Sequence, residues 1–279
     1  QYLFENNLYD LNVREPLFGQ PNLDAQRTIS YEVGLSHQFS DNIAMNLTAY
    51  YRDITGLIGT RYYAPFVEGR YTGYTLYVNE DYANIKGFEI TVDVRPNKYF
   101  SGGLTYTYSV AKGSASSETE QYPGTDESTQ LYYLDFDRPH VFNASGTYTI
   151  PKDEGPEVFG STIFDDMDFS LIFKASSGAP YTPSGRDIGF VDKNSLREPS
   201  LYNFDLMIGK EIEFTENLRL RLFAEILNLT DHRNILYVYG DTGDPDYTTV
   251  GGYSTEYMQD PSNYGPPRSV RIGFTFRFN

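Results

Sequence analysis

Polar and apolar residues alternate with a period of two along most of the chain. In "LRLRLFAEILNL", Leu218, Leu220, Leu222, Ala224 and Ile226 share one face, and Arg219, Arg221, Phe223 and Glu225 share the other. In "VRIGFTFRF", Val270, Ile272, Phe274, Phe276 and Phe278 oppose Arg271, Gly273, Thr275 and Arg277. Tyr202, Phe204, Leu206, Ile208 and Ile212 stand against Asn203, Asp205, Glu211 and Glu213, and Ile29, Tyr31, Val33 and Leu35 against Ser30, Glu32, Gly34 and Ser36. A two-residue period belongs to strands with two chemically different faces, and no stretch carries a helical period. Turn signals between the runs predict nine strands, at 27–39, 43–57, 82–95, 99–111, 136–150, 168–178, 200–214, 218–230 and 267–279.

The connections sharpen the picture. "SDN" (40–42), "PNK" (96–98) and "TEN" (215–217) are tight, whereas 58–81, 112–135, 179–199 and 231–266 are long, polar and rich in Gly, Tyr and Asp. Short and long connections therefore alternate, as in a transmembrane antiparallel β-barrel with tight turns on one side of the membrane and long loops on the other. Residues 151–167 break the pattern, since that connection should be short. On this register Leu218, Leu220, Leu222, Ile226, Val270, Ile272, Phe274 and Phe276 face lipid. Glu89, Asp93, Arg95, Arg219, Arg221, Glu225, Arg271 and Arg277 face the lumen, where they hydrogen-bond to water, to a plug or to cargo.

Composition agrees. The 279 residues hold 26 Tyr and 19 Phe with 22% charged residues, a mixture open to a barrel because only alternate strand residues meet lipid. No apolar run approaches the roughly 20 residues of a spanning helix. The absence of Cys excludes thiolate metal sites and a disulfide scaffold. A net charge of −16 disfavours nucleic acid as a partner. Parity adds an expectation about completeness: with the last strand running inward and nine strands in all, the first starts outside. Residues 1–26 then read as the end of an external loop, and 27–279 as the C-terminal part of a larger barrel.

Several motifs carry a family resemblance. "NLDAQRTISYEVGLSHQFSDNIAMNLTAYYRDITGLI", "ANIKGFEITVDVRP", "DRPHVFNASGTYTIP" and "GAPYTP" resemble segments of TonB-dependent outer-membrane receptors. The stretch "NSLREPSLYNFDLMIGKEIEFTENLRLRLFAEILNLTDHRNILYVYGDTGDP" is the strongest, and its Asn228-Leu229-Thr230-Asp231 resembles the family's Asn-Leu-Phe-Asp signature. The terminal "RIGFTFRF" is similar to the assembly signal read by the barrel-assembly machinery, with Gly273, Phe276 and Phe278 as its elements and Asn279 as a departure. The loop sequences look most like Bacteroidota-type receptors with carboxypeptidase-regulatory-like extensions. The resemblance implies an all-β barrel of about 22 strands in the cell outer membrane, with extracellular loops, a periplasmic C-terminus and a plug domain that this chain lacks. It further implies active uptake of a scarce solute (a siderophore, cobalamin, a glycan or a peptide). The implied partners are outer-membrane lipid, the rest of the barrel and its plug, TonB through that plug, and a surface lipoprotein. This chain would supply barrel wall and binding loops, and no enzymatic activity is implied.

Individual residues remain ambiguous. The loop tyrosines Tyr62, Tyr63 and Tyr71, and Tyr237, Tyr239 and Tyr253, could stack on cargo; packing within the loops or an interfacial girdle uses the same residue type. Asp241, Asp244 and Asp246 have spacing that could offer oxygen ligands to Ca²⁺, but a solvated acidic turn looks the same, and no other cofactor is indicated. His37, His140 and His232 lack metal-ligand spacing. Asn46, Asn143 and Asn228 match the glycosylation tripeptide but fall within predicted strands. Two other readings stay open: a passive porin or surface adhesin barrel, and a barrel-embedded hydrolase, for which the scattered His offer little support.

Overall fold

A computed structural model describes residues 17–63, 66–67, 70–71, 73–120, 130–157, 162–185, 191–215, 217–252 and 254–278, with the side chains of 66–67 and 70–71 left undescribed. Nine strands of ten or more residues occur among these residues: β1 (Arg27–Ser40), β2 (Ile43–Tyr63), β3 (Tyr74–Val94), β4 (Phe100–Gly113), β5 (His140–Ile150), β6 (Met167–Ser176), β7 (Leu201–Thr215), β8 (Leu218–Leu227) and β9 (Ser269–Phe278). They pair in sequence order into one antiparallel meander with β1 and β9 at its two ends, so the sheet is open. Tight turns join β1 to β2, β3 to β4 and β7 to β8 at one rim, which the longer β5–β6 connection shares, and the other four connections leave the strands at the opposite rim.

Register keeps the two faces chemically distinct across the sheet, with Lys210 an exception on the apolar side. From β9 to β7 one face reads Phe276, Leu220, Ile212 and then Phe274, Leu222, Lys210, while the opposite face pairs Arg277 with Arg219 and Glu213. The same apolar face continues through Ile208, Phe169 and Tyr148 and reaches Leu47 and Leu35 at the far edge. These side chains are far from water-compatible: Ile272 is 82% exposed and Val33 71%. An exposed apolar face this broad marks a surface that some apolar medium or partner covers. On the other face polar groups pair with each other. Arg221 meets Asp168 at 2.7 Å, Arg271 meets Glu225 at 3.4 Å, and Arg219 lies 3.5 Å from Glu211 and 3.6 Å from Glu213.

The strands outrun their predicted limits in one hairpin. β2 and β3 have 21 residues each, about twice the 9–11 that cross a bilayer, so the linker expected at 58–81 shrinks to 64–73. The wall continues past a bulge at Thr55–Ile58, where Gly56 takes φ +68, a value that favours glycine. Leu17–Phe18 adds in parallel to Thr75–Leu76 beside this extension, and Asn79 fastens Asp24 to it through bonds of 2.7 and 3.0 Å. β5 starts later than expected, at His140 instead of 136, because Pro139 lacks a donor and Asp137 is bound elsewhere. β8 stops at Leu227 instead of 230, since Asn228 adopts φ +53; Asn228 thus lies outside the strand assigned to it. The end of the β5–β6 connection meets β7, whose Lys210 reaches Asp165 at 2.9 Å.

A small interior cluster forms where the wall meets the loops. Ala83, Ala111 and Leu134 are buried together, with Ile54, Leu57 and Ile85 against them. This cluster sits on the polar face of the sheet and carries the 130–139 segment.

Candidate functional site

A concavity lies on the polar face at the long-loop rim, where β5, β6 and β7 end. Its cavity is about 660 Å³. Strand alternation decides what lines it: Lys174 of β6 pairs with Asn143 of β5 on one side and Asn203 of β7 on the other, giving a row of two amides around an ammonium. One pairing step higher, Ser176 lies between Val141 and Leu201; one lower, Ile172 lies between Ser145 and Asp205. Arg138 and Arg271 complete the cationic side, and Leu227, Leu236, Pro266 and Pro267 supply apolar wall.

The roof of the cavity is pinned by its asparagines. Asn228 is buried; its amide donates to the carbonyls of His232 (3.0 Å) and Pro266 (3.1 Å) and accepts from the His232 N–H (3.0 Å). Its backbone N–H donates to Asp205 at 2.9 Å, and the same carboxylate oxygen accepts from the Asn203 amide at 2.6 Å. Asn234 exchanges two bonds of 2.8 Å with the Tyr202 backbone, and the His232 ring stacks on Tyr202 at 3.8 Å. Asp231, also at positive φ, accepts from the Arg268 N–H at 2.9 Å. The Asn-Leu-Thr-Asp signature therefore ends β8 and ties its exit to the entry of β9.

Charge at the cavity is unbalanced. Arg271 has Glu225, and Arg138 donates to the Ser177 carbonyl at 2.9 Å, but Lys174 makes no ion pair or hydrogen bond among the described residues. Asp205, the carboxylate in the lining, is already committed to Asn203 and Asn228. The lining is thus net positive in a chain of net charge −16.

Beside this cavity the two neighbouring loops are sewn together. Arg197 closes on Asp137 at 2.5 Å, donates to its carbonyl at 2.9 Å, and lies 4.8 Å over the Tyr133 ring. Asn194 donates to the Tyr133 carbonyl and to Asp135, each at 2.7 Å. Tyr132 donates to Glu120 under the ammonium of Lys193, and burial pushes its phenol up to about 12.

The residues singled out from sequence are elsewhere. Tyr63 stacks on Tyr74 at 5.5 Å in the projecting hairpin, Tyr62 lies beside Gly73, and Tyr239 donates to the Met258 carbonyl at 3.0 Å, with Tyr237 half-exposed at its edge. None of these lines the cavity. Tyr253 and the side chain of Tyr71 lie outside the described residues. The aspartates do not converge: Asp241 accepts from Thr248 and Thr249, Asp244 from the Asp246 N–H at 2.7 Å, and Asp246 from Tyr264 at 2.6 Å. Among the described residues no three His, Cys, Asp or Glu group as a metal site. Each His instead meets an aromatic ring: His140 bonds Tyr106 at 2.8 Å, His232 stacks on Tyr202 and His37 packs on Phe39. Gly273 has a plain steric reason, because a Cβ there would come within 2.5 Å of the Phe223 ring across the ladder. Phe276 and Phe278 stand on the exposed apolar face. Lys174, Asn143, Asn203 and Arg138 were missed as a set. A lysine on the polar face of "DFSLIFKAS" was the available signal, and its partners come from other strands.

The family model for the TonB dependent receptor-like β-barrel matches residues 4–229, most of the chain. The chain belongs to that family. No curated protein matches it. Solved structures of similar fold include the outer membrane transporter YddB from Escherichia coli (13% identity, TM-score 0.61, covering 94% of this chain and 34% of that one). Others are the ferric-catecholate import receptor Fiu of E. coli (14%, 0.53, 93% and 28%) and Pseudomonas aeruginosa FpvA bound to heterologous pyoverdines (12%, 0.55, 92% and 27%). The chain spans about a third of the length of these receptors. At such identities the likeness concerns the fold, the antiparallel strand wall of a β-barrel.

Proposed function

We propose that this chain is the C-terminal wall and loop region of a TonB-dependent transporter that takes up a scarce solute across the outer membrane. The observation that carries the proposal is the register: one apolar face continuous over nine strands, one ion-paired face, and a formed cavity on the ion-paired side beneath the long loops. On this reading residues 1–26 and the long connections face outside, the tight turns and the C-terminus face the periplasm, and lipid covers the apolar face. A plug from another part of the receptor occupies the lumen and couples to TonB, and a surface lipoprotein covers the loops. Similar receptors are described as importing ferric catecholates or binding pyoverdine, and another neighbour is a receptor–pyocin complex; a siderophore, cobalamin, glycan or peptide is the cargo class for this one. The protein binds and passes cargo and does no chemistry on it.

The test compares strains lacking the receptor, lacking TonB, or lacking both, grown on limiting ferric siderophores, cobalamin, glycans or peptides. Matching single defects with no further loss in the double strain are expected. Receptor-dependent uptake that persists without TonB would instead mean a passive porin.

A further inference from the structure

Within that transport reading, on which this inference rests, we infer that the cavity beneath the 228–236 segment selects a carboxylate carried on a compact apolar body. Three features converge. Lys174 is a cation without a partner among the described residues, flanked in register by the amides of Asn143 and Asn203. The carboxylate in the lining makes no ion pair with it: Asp205 accepts instead from the Asn203 amide and the Asn228 N–H, both on one oxygen. Much of the remaining wall is apolar, with Leu201, Leu227, Leu236 and Pro266 facing a volume of about 660 Å³, within the range of small-molecule sites.

The chemistry follows from these positions. Lys174 is solvent-exposed at the cleft and has no counter-ion among the described residues, so a ligand carboxylate pairs with it without displacing an existing ion pair. The carboxylate accepts from Lys174 and from the Asn143 amide, a charge-assisted pairing stronger than a neutral one. Arg271 is held by Glu225, whereas Arg138 bonds the neutral Ser177 carbonyl and keeps its charge. The apolar wall then takes the body of the ligand, which separates this class from hydrophilic dicarboxylates. Two sources share the chemistry: the free C-terminus of a short apolar peptide, and a medium-chain fatty acid.

The experiment uses the full-length receptor in detergent and calorimetric titration with acetyl-Leu-Leu as the free acid, its C-terminal amide, and decanoate. The free acid should bind at least about tenfold tighter than the amide, the scale of one hydrogen bond to a charged group. Lys174→Met should erase that preference and Lys174→Arg should keep it, with heat-modifiable mobility confirming that each variant is folded. Tighter binding of acetyl-Leu-Leu than of decanoate identifies a peptide source, and the reverse order identifies a fatty acid. Equal binding of acid and amide, no binding of either acid, or a preference that survives Lys174→Met would overturn the inference. Failure of the transport reading is separable: carboxylate binding with TonB-independent uptake sinks that reading and leaves this site standing. TonB-dependent uptake with no carboxylate preference does the opposite.

Discussion

Arg197 and Asp137 meet at 2.5 Å across two separate loops, and the Asp137 side chain is wholly buried while Arg197 keeps 28% of its own exposed. Asp137 also accepts from the Ala111 N–H at 2.6 Å, so one carboxylate joins the 177–200 loop to the end of β4. Removing it leaves a guanidinium and a backbone donor unanswered. Asp137→Ala should loosen the pair of loops by about 2–3 kcal/mol, less than a fully buried pair loses because water still reaches Arg197. Hydrogen exchange should rise at Ala111 and across Leu196–Arg197 while β7–β9 stay protected. Unchanged exchange at Ala111 would show that the pair does not hold the loops.

The two faces of β8 make opposite demands. Leu220 pairs with Phe276 and Ile212 on the apolar side, and its neighbour Arg221 bonds Asp168 on the other. Leu220→Lys should cost roughly 2–4 kcal/mol if the position lies near the bilayer midplane, whereas polar replacements of Thr275 on the lumen side should cost little. Spin labels at 218, 220, 222, 272 and 274 should be accessible to a lipid-soluble quencher, and labels at 219, 221 and 277 to a water-soluble one. The reverse pattern would mean that the register is wrong by one residue.

How much of this was legible beforehand depends on what lipid enforces. Where strands cross an apolar medium, every second residue must be apolar, and Leu218–Ile226 or Val270–Phe278 announce their faces by alternation alone. Beyond the bilayer that pressure stops. Tyr62 and Thr75 pair in the same ladder as Leu47 and Ile90, yet their surroundings read as a polar loop. Pro139 and Asn228 set strand ends through a missing donor and a positive φ, which periodicity does not report. The cavity was hidden for a further reason. Asn143, Lys174 and Asn203 become neighbours through strand pairing, and the roof arrives from Asn228 and Pro266, so no local spacing marks them.

Glu198 offers a pH test in the same loop layer. Burial pushes its carboxyl above the ordinary 4.5, with Arg138 opposing the rise without cancelling it. The folded state therefore holds this proton more tightly than the unfolded chain does. That contribution to stability is fully present below 4.5 and is lost as pH rises through the raised folded value. Glu198→Gln removes the loss. The variant should be more resistant to thermal opening of the loops than the wild type at neutral pH, and the two should converge below pH 4.5. An advantage that persists unchanged in acid would assign the effect to something other than this titration.

The ends of the sheet make the last demand. β1 and β9 lie at opposite ends of the strand order, so each presents one unpaired edge, of 14 and 10 residues respectively. In water such an edge is tolerable. In hydrocarbon each unpaired N–H or C=O costs several kcal/mol, which across about ten residues outweighs any gain from lipid contact. Both strands also show apolar side chains along their whole length, such as Tyr31, Val33 and Leu35 on β1 and Ile272 and Phe274 on β9, so they belong in lipid and not beside it. Residues 1–279 refolded alone in detergent should therefore aggregate or stay protease-sensitive, without a heat-modifiable monomer or a defined single-channel conductance. Co-expression with the remaining strands of the receptor should restore both, because those strands supply partners for β1 and β9. A stable, conducting monomer from this chain alone would mean that β1 and β9 close on each other in the membrane, and the porin reading would then replace the transporter one.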